Sequence, residues 1–231
     1  MKDYRNKDMK TLMVIFFFLC VLLCTPILEM TNIKSDEPPY FKLLAVIESS
    51  IISGMLSMAA FLSDSLISNK MKDALVGLFI IPKSGESIFS KIKTDAIRDD
   101  RFQNSDAVEK YSDIISGMPQ DKKKRRKYEN TRWYKIYYVQ QGNPQVFQEQ
   151  TDYLMCRDLY VETIMFYVFY IAAVIFFPKV FSFSWKFSAL LAIVAVLLCI
   201  CTHNKMRRFV YTVIAIDLVK DTVTDNSRKE K

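Results

Sequence analysis

The residues able to do chemistry are few and scattered along this chain. The one histidine, His203, stands beside Asn204 and Lys205. At the mouth of an apolar segment an imidazole reads as a tolerated amphipathic side chain rather than a general base. The five cysteines, Cys20, Cys24, Cys156, Cys199 and Cys201, lie in apolar stretches or at their edges. None shows the CxxC-type spacing that a zinc or redox site needs, so they read as small buried hydrophobes. Cys199 and Cys201 would point about 200° apart on a helix, which argues against their pairing. Asp99, Asp100 and Arg101 form a charged cluster of the kind that solvates a domain surface. There is no P-loop, no G-x-G-x-x-G and no metal-ligand pair at i, i+4, and the chain has only five glycines. These absences predict a protein that is not an enzyme and carries no cofactor.

One acidic residue and a run of serines are more informative. Ser49, Ser53 and Ser57 recur every four residues, with Ser50 and Gly54 beside them. On a helix they make one face of small residues. Such a face serves close helix–helix packing, the favoured reading, or lines a polar pore; an oligomer satisfies both. Glu48 opens the stripe. It falls about 8 Å below the outer end of its segment, shallow enough to reach the interface or to stay protonated.

The elements that carry these residues follow from how charge is segregated. Half of the 231 residues are hydrophobic and 25% are charged, yet the two classes alternate in blocks instead of mixing at helix or strand period. Four blocks, 11–28, 43–62, 159–178 and 185–202, are apolar and close to the ~20 residues that cross a bilayer. The first has a basic flank like a signal peptide, but its apolar run is long and no A-x-A site follows, so retention as a helix is expected. Basic residues crowd the 1–10 tail, the long central segment and the stretch after residue 202. The positive-inside rule therefore places both termini and the 63–158 segment in the cytosol, across an inner (plasma) membrane. No span has the broken-helix pattern or repeat of a secondary transporter. The expected fold is mainly α: an integral membrane four-helix bundle with a cytosolic α(+β) domain inserted between spans two and three.

Within that domain, span two is expected to continue as a helix until Pro82 and Gly85 break it. Segments near 87–101 and 107–118 suit short amphipathic helices. Trp133, Tyr134, Ile136, Tyr137, Tyr138 and Val139 are aromatic or β-branched and predict a short strand. The Gln141–Pro144 stretch reads as a turn, with Pro144 opening a helix that runs into span three. Arg157 and Asp158, at the boundary of that span, call for an ion pair with a neighbouring span. A helix over 203–221 presents Phe209, Val210, Val213 and Ile214 on one face; it packs on the domain, with lying flat on the inner leaflet as the alternative, or docks a soluble partner in the scaffold reading. Residues 222–231 read as disordered.

The run Lys122, Lys123, Lys124, Arg125, Arg126, Lys127 is the densest charge in the chain. Close to a membrane it fits anionic inner-leaflet lipid, at about 1 kcal/mol per basic residue near the surface. A nucleic acid or nucleotide ligand, stacking on Trp133, Tyr134 and Tyr137, is the less favoured reading.

With its segments PKSGESIFSKI and RWYKIYYVQQGNPQVF, the layout resembles small bacterial multi-span membrane proteins of antiphage defence loci. The resemblance is one of architecture across most of the chain and transfers no residue role. It implies a cytosolic part that senses a cue and a membrane part that responds, as a homo-oligomer in the lipid bilayer. A membrane anchor or scaffold for a soluble cytosolic protein is the competing expectation, and a channel or transporter the third.

Overall fold

The computed structural model describes residues 47, 54, 58, 62, 65–77, 83–176, 178 and 183–229, without the side chains of Ser84 and of 220–229. These residues are mainly helical, with no strand among them. They divide between two compact units. The apolar unit lies within Met1–Val76 and Met155–Cys201, the polar unit within Gly77–Leu154 and Thr202–Lys231. The first expected span, 11–28, lies outside the described residues. Of the second, Ile47, Gly54, Met58 and Leu62 are described, and all four are helical.

In the apolar unit, α1 spans Asn69–Val76. The expected uninterrupted helix leading to it is broken at Ile67 and Ser68. Ser68 restarts it: its hydroxyl and its carbonyl both accept from the Met71 N–H, at 3.4 and 2.9 Å, as an N-cap does. Two long helices also contribute to the unit, numbered in chain order as α6, Pro144–Phe176, and α7, Trp185–Lys229. Two helices, Pro144–Phe176 and Trp185–Val219, are long and apolar enough to cross a membrane. Only 33% and 22% of their most apolar windows are buried, whereas a soluble core helix hides most of such a stretch. Phe166 and Tyr170 of α6 pack against Phe187 and Leu191 of α7, and the Tyr170 hydroxyl accepts from the Ser184 N–H at 2.8 Å. Pro178 follows the end of α6, and a proline has no N–H with which to continue a helix.

The polar unit begins with a short 3-10 turn, Ser84–Glu86, followed by α2, Ile88–Lys93, α3, Asn104–Lys110, and α4, Ser112–Ser116. Then comes α5, Lys122–Gln140. Its core joins Ile88, Phe89 and Ile92 of α2 to Trp133 of α5, Val146 of α6, and Phe209, Val210, Val213 and Ile214 of α7. The expected strand is therefore a helix. Its aromatic residues satisfy a 3.6-residue period as well as a two-residue one. Glu129, Trp133 and Gln140 are buried with Ile136 and Tyr137 partly so, all on one helical face, while Tyr138 and Val139 are 62% and 66% exposed. A strand would have put Trp133, Tyr137 and Val139 together on one side. Asp121 starts α5 by accepting from the Lys124 N–H at 2.8 Å, and it offsets some of the basic charge at the positive end of the helix.

Buried polar groups pin the small helices. Glu129 accepts from the Ser90 N–H at 3.0 Å and from the Ser90 hydroxyl. Asp217 of α7 takes the Tyr111 hydroxyl at 2.8 Å, the Gln140 amide at 2.9 Å and the Lys110 ammonium at 2.7 Å. The C-terminal segment thus belongs to the polar unit, whereas 65–76 and 155–158, expected in the cytosolic domain, belong to the apolar one. Nor does the helix stop at 221: α7 is assigned to Lys229, into the stretch expected to be disordered. No glycine or proline interrupts it after Trp185.

Gly85 sits where the 3-10 turn meets α5. A Cβ there would lie 3.2 Å from Asn130 Oδ1 and 3.2 Å from Trp133 Cε3. Gly85→Ala should therefore destabilise the polar unit by about 1–3 kcal/mol through overpacking. Chemical denaturation followed by Trp fluorescence checks this, and an unchanged midpoint would count against the packing described.

Candidate functional site

The most structured polar constellation lies in the apolar unit and is built by two short sequence patterns. In α1, Asn69, Lys72, Asp73 and Val76 stand at i, i+3, i+4 and i+7, and so share a face. In α6, Arg157 and Asp158 precede Tyr160 and Val161, which pack against Val76. Helix α6 turns apolar beyond these residues, so charges here must be paired.

Arg157 is 3% exposed and works as a fork. Nη1 donates to Asp73 at 3.0 Å, Nη2 to Asn69 Oδ1 at 3.0 Å, and Nε and Nη2 to Asp158 at 3.1 and 3.0 Å. Lys72, 2% exposed, reaches the same Asp158 oxygen at 3.4 Å. Two cations and two carboxylates are thereby interleaved across the two helices. Charge-assisted bonds with a planar guanidinium specify one register between the elements that bear them. These charge-assisted bonds tie α1 to α6 as an electrostatic latch. Below it Cys199 Sγ of α7 donates to the Val76 carbonyl at 3.8 Å, a weak sulfur contact. Among the described residues Cys156, Cys199 and Cys201 form no disulfide.

The need for a partner to Arg157 and Asp158 was legible in the sequence, but Asn69, Lys72 and Asp73 were not singled out. Their signal was the i, i+3, i+4 spacing of polar residues directly after an apolar span.

The residues expected to line or pack span two are only partly visible. Glu48, Ser49, Ser50, Ser53 and Ser57 lie outside the described residues. Gly54 is helical and exposed, and among the described residues nothing lies within 4 Å of where its Cβ would stand. Lys122, Lys123, Lys124 and Lys127 are exposed on the first turns of α5, with Arg125 and Arg126 half-buried. Trp133, expected as a stacking platform, is instead core at 4% exposure, edge-on to Phe209 at 5.4 Å and stacked on Tyr137 at 5.6 Å. Phe209, Val210, Val213 and Ile214 are buried in the same core. The polar unit's own helices cover these residues, which were expected on a docking face.

Outside the apolar unit, Lys205 of α7 pairs with Asp152 at 2.6 Å and Arg208 with Glu149 at 2.6 Å. The hydrogen bond to Asp152 holds the Lys205 ammonium above its ordinary pKa. No protein-family model, curated protein or solved structure matches the chain.

Proposed function

We propose that the protein is a multi-pass membrane sensor and effector, with both termini and the polar unit in the cytosol, that perturbs the inner membrane when the polar unit meets its cue. The observation that carries this reading is the continuity of α6 and α7. Each is a single helix that supplies apolar, membrane-length sequence to one unit and core residues to the other. The low burial of their apolar windows supports a lipid environment. The Arg157 latch supplies a second element, α1, whose register could be switched against α6. The defence setting rests on the resemblance of layout alone, and the proposal contains no catalytic step. The scaffold reading loses its expected docking residues to the core and stands second.

In this reading a homo-oligomer opens along the small-residue face of span two. Ser53→Leu and Gly54→Leu should each weaken self-association of the detergent-solubilised protein, measured by particle mass. Triggered or overproduced wild-type protein should depolarise cells loaded with a potential-sensitive dye, and the two variants should do so less. An intact membrane potential under every trigger, with a monomeric particle, would remove the proposal. Capture of a stoichiometric soluble protein would instead favour the scaffold.

A further inference from the structure

The polar unit holds a cavity of about 620 Å³ that the sequence does not announce. One wall is the loop between α2 and α3, bearing Arg98, Asp99 and Arg101; the other is a face of α7, where Asn204, Arg207, Arg208 and Tyr211 recur at i, i+3, i+4 and i+7. More than a hundred residues separate the walls in sequence. Arg101 joins them: it donates to Thr212 Oγ1 at 2.6 Å and is gripped by Asp99 at 2.6 and 2.8 Å. That grip holds the Asp99 carboxyl below its ordinary pKa, chiefly through the hydrogen bond from Arg101.

The charges do not balance. Four guanidiniums line the cavity, and two carboxylates answer them: Asp99 with Arg101, and Glu149 with Arg208. Among the described residues Arg98 and Arg207 make no ion pair, and the one bond from Arg207 goes to Asn204 at 3.4 Å. Lys91 adds to the excess. Its ammonium is held below its usual pKa by burial first and by the charge of Arg207 second. Converging, incompletely paired arginines in a concave site match a phosphate, which accepts bidentate hydrogen bonds and cancels the repulsion. The volume lies in the ~300–1,000 Å³ range of ligand pockets. A second cavity, of about 690 Å³, shares Arg101 and Gln145 and adds Gln140, Asn143 and Thr212 to its walls. It gives room and amide partners to an organic group attached to that phosphate.

We infer that the cavity between Arg98–Arg101 and the Arg207–Arg208 face of α7 binds a phosphate ester, with Arg98 and Arg207 as its principal contacts. The ester is either a soluble phosphorylated molecule or a phospholipid headgroup. The inference goes beyond the sensor-effector reading and stands or falls without it, because binding is measured directly.

The test uses the full chain in phosphatidylcholine nanodiscs, with inorganic pyrophosphate as the soluble probe. A second preparation, in nanodiscs of mixed phosphatidylcholine and phosphatidylglycerol, supplies the headgroup. Saturable, salt-sensitive binding of pyrophosphate, seen by calorimetry and as a raised unfolding temperature, identifies the soluble source. Stabilisation only in the phosphatidylglycerol discs identifies the lipid source. In either case Arg98→Gln and Arg207→Gln should each weaken the effect about tenfold or more, and Lys135→Gln, an exposed residue of α5, should leave it intact. Arg98 and Arg207 are exposed and, among the described residues, make no ion pair, so the unliganded variants should unfold at the wild-type temperature. If one does not fold, Arg98→Lys and Arg207→Lys keep the charge while removing the fork, and should give an intermediate loss. No stabilisation by either source overturns the inference. So does stabilisation that the arginine variants retain.

Discussion

Arg157→Met should destabilise the protein by about 3–5 kcal/mol, the usual cost of removing one partner from a buried ion pair. The guanidinium is 3% exposed and serves Asp73, Asn69 and Asp158 at once. Without it Asp73 loses that charge-assisted bond, and Asp158 keeps Lys72 at 3.4 Å. At about 2–4 °C per kcal/mol for chains of this size, the unfolding temperature in detergent should fall by roughly 6–20 °C. Arg157→Lys should recover part of the loss only, because one ammonium cannot reach three acceptors set for a planar fork. A shift within about 2 °C for Arg157→Met would mean that the cluster does not hold α1 to α6. The role of the latch in the proposed switching would fall with it.

The second large effect is expected at Phe209, where two views of the C-terminal helix part. Its ring is 6% exposed, edge-on to Trp133 at 5.4 Å and to Tyr137 at 5.5 Å, and stacked on Tyr153 at 6.3 Å. Phe209→Ala should cost about 3–5 kcal/mol, from lost transfer free energy and the cavity left behind. The purified protein alone should show it, with no partner added, as a lower denaturation midpoint and a red-shifted contribution from Trp133. A surface docking residue would behave in the opposite way, leaving stability unchanged and losing only a partner. Normal stability in Phe209→Ala would return this helix to the docking role that the core packing takes from it.

Legibility in the sequence followed the kind of signal. Composition was enough for the two membrane-length helices, since an apolar run past 18 residues has few alternatives. Pro144 after a Gly-Asn pair marked the start of α6, and there the Asn143 side chain accepts from the Gln145 N–H at 2.8 Å. The apolar positions of 206–218 announced a buried face at helical period. They did not say what buries it, because periodicity reports a face and not its partner. Around Trp133 the residue types suited a strand, and burial against α2 and α7 selected the helix instead. The interruption at Ser68 was missed because a serine cap inside a polar stretch carries little contrast.

By itself the sequence determined where apolar length, charge and capping residues fall, and therefore which segments are long helices and which of their faces must be covered. Those are local properties, set by spacing along the chain. Only the tertiary structure decided that Lys72 and Asp73 receive Arg157, that Phe209 faces Trp133, and that Arg98 and Arg101 meet Arg207 and Arg208 around one cavity. Each of these joins residues between roughly 75 and 110 positions apart. Their proximity depends on how helices pack, which no local pattern of residues encodes.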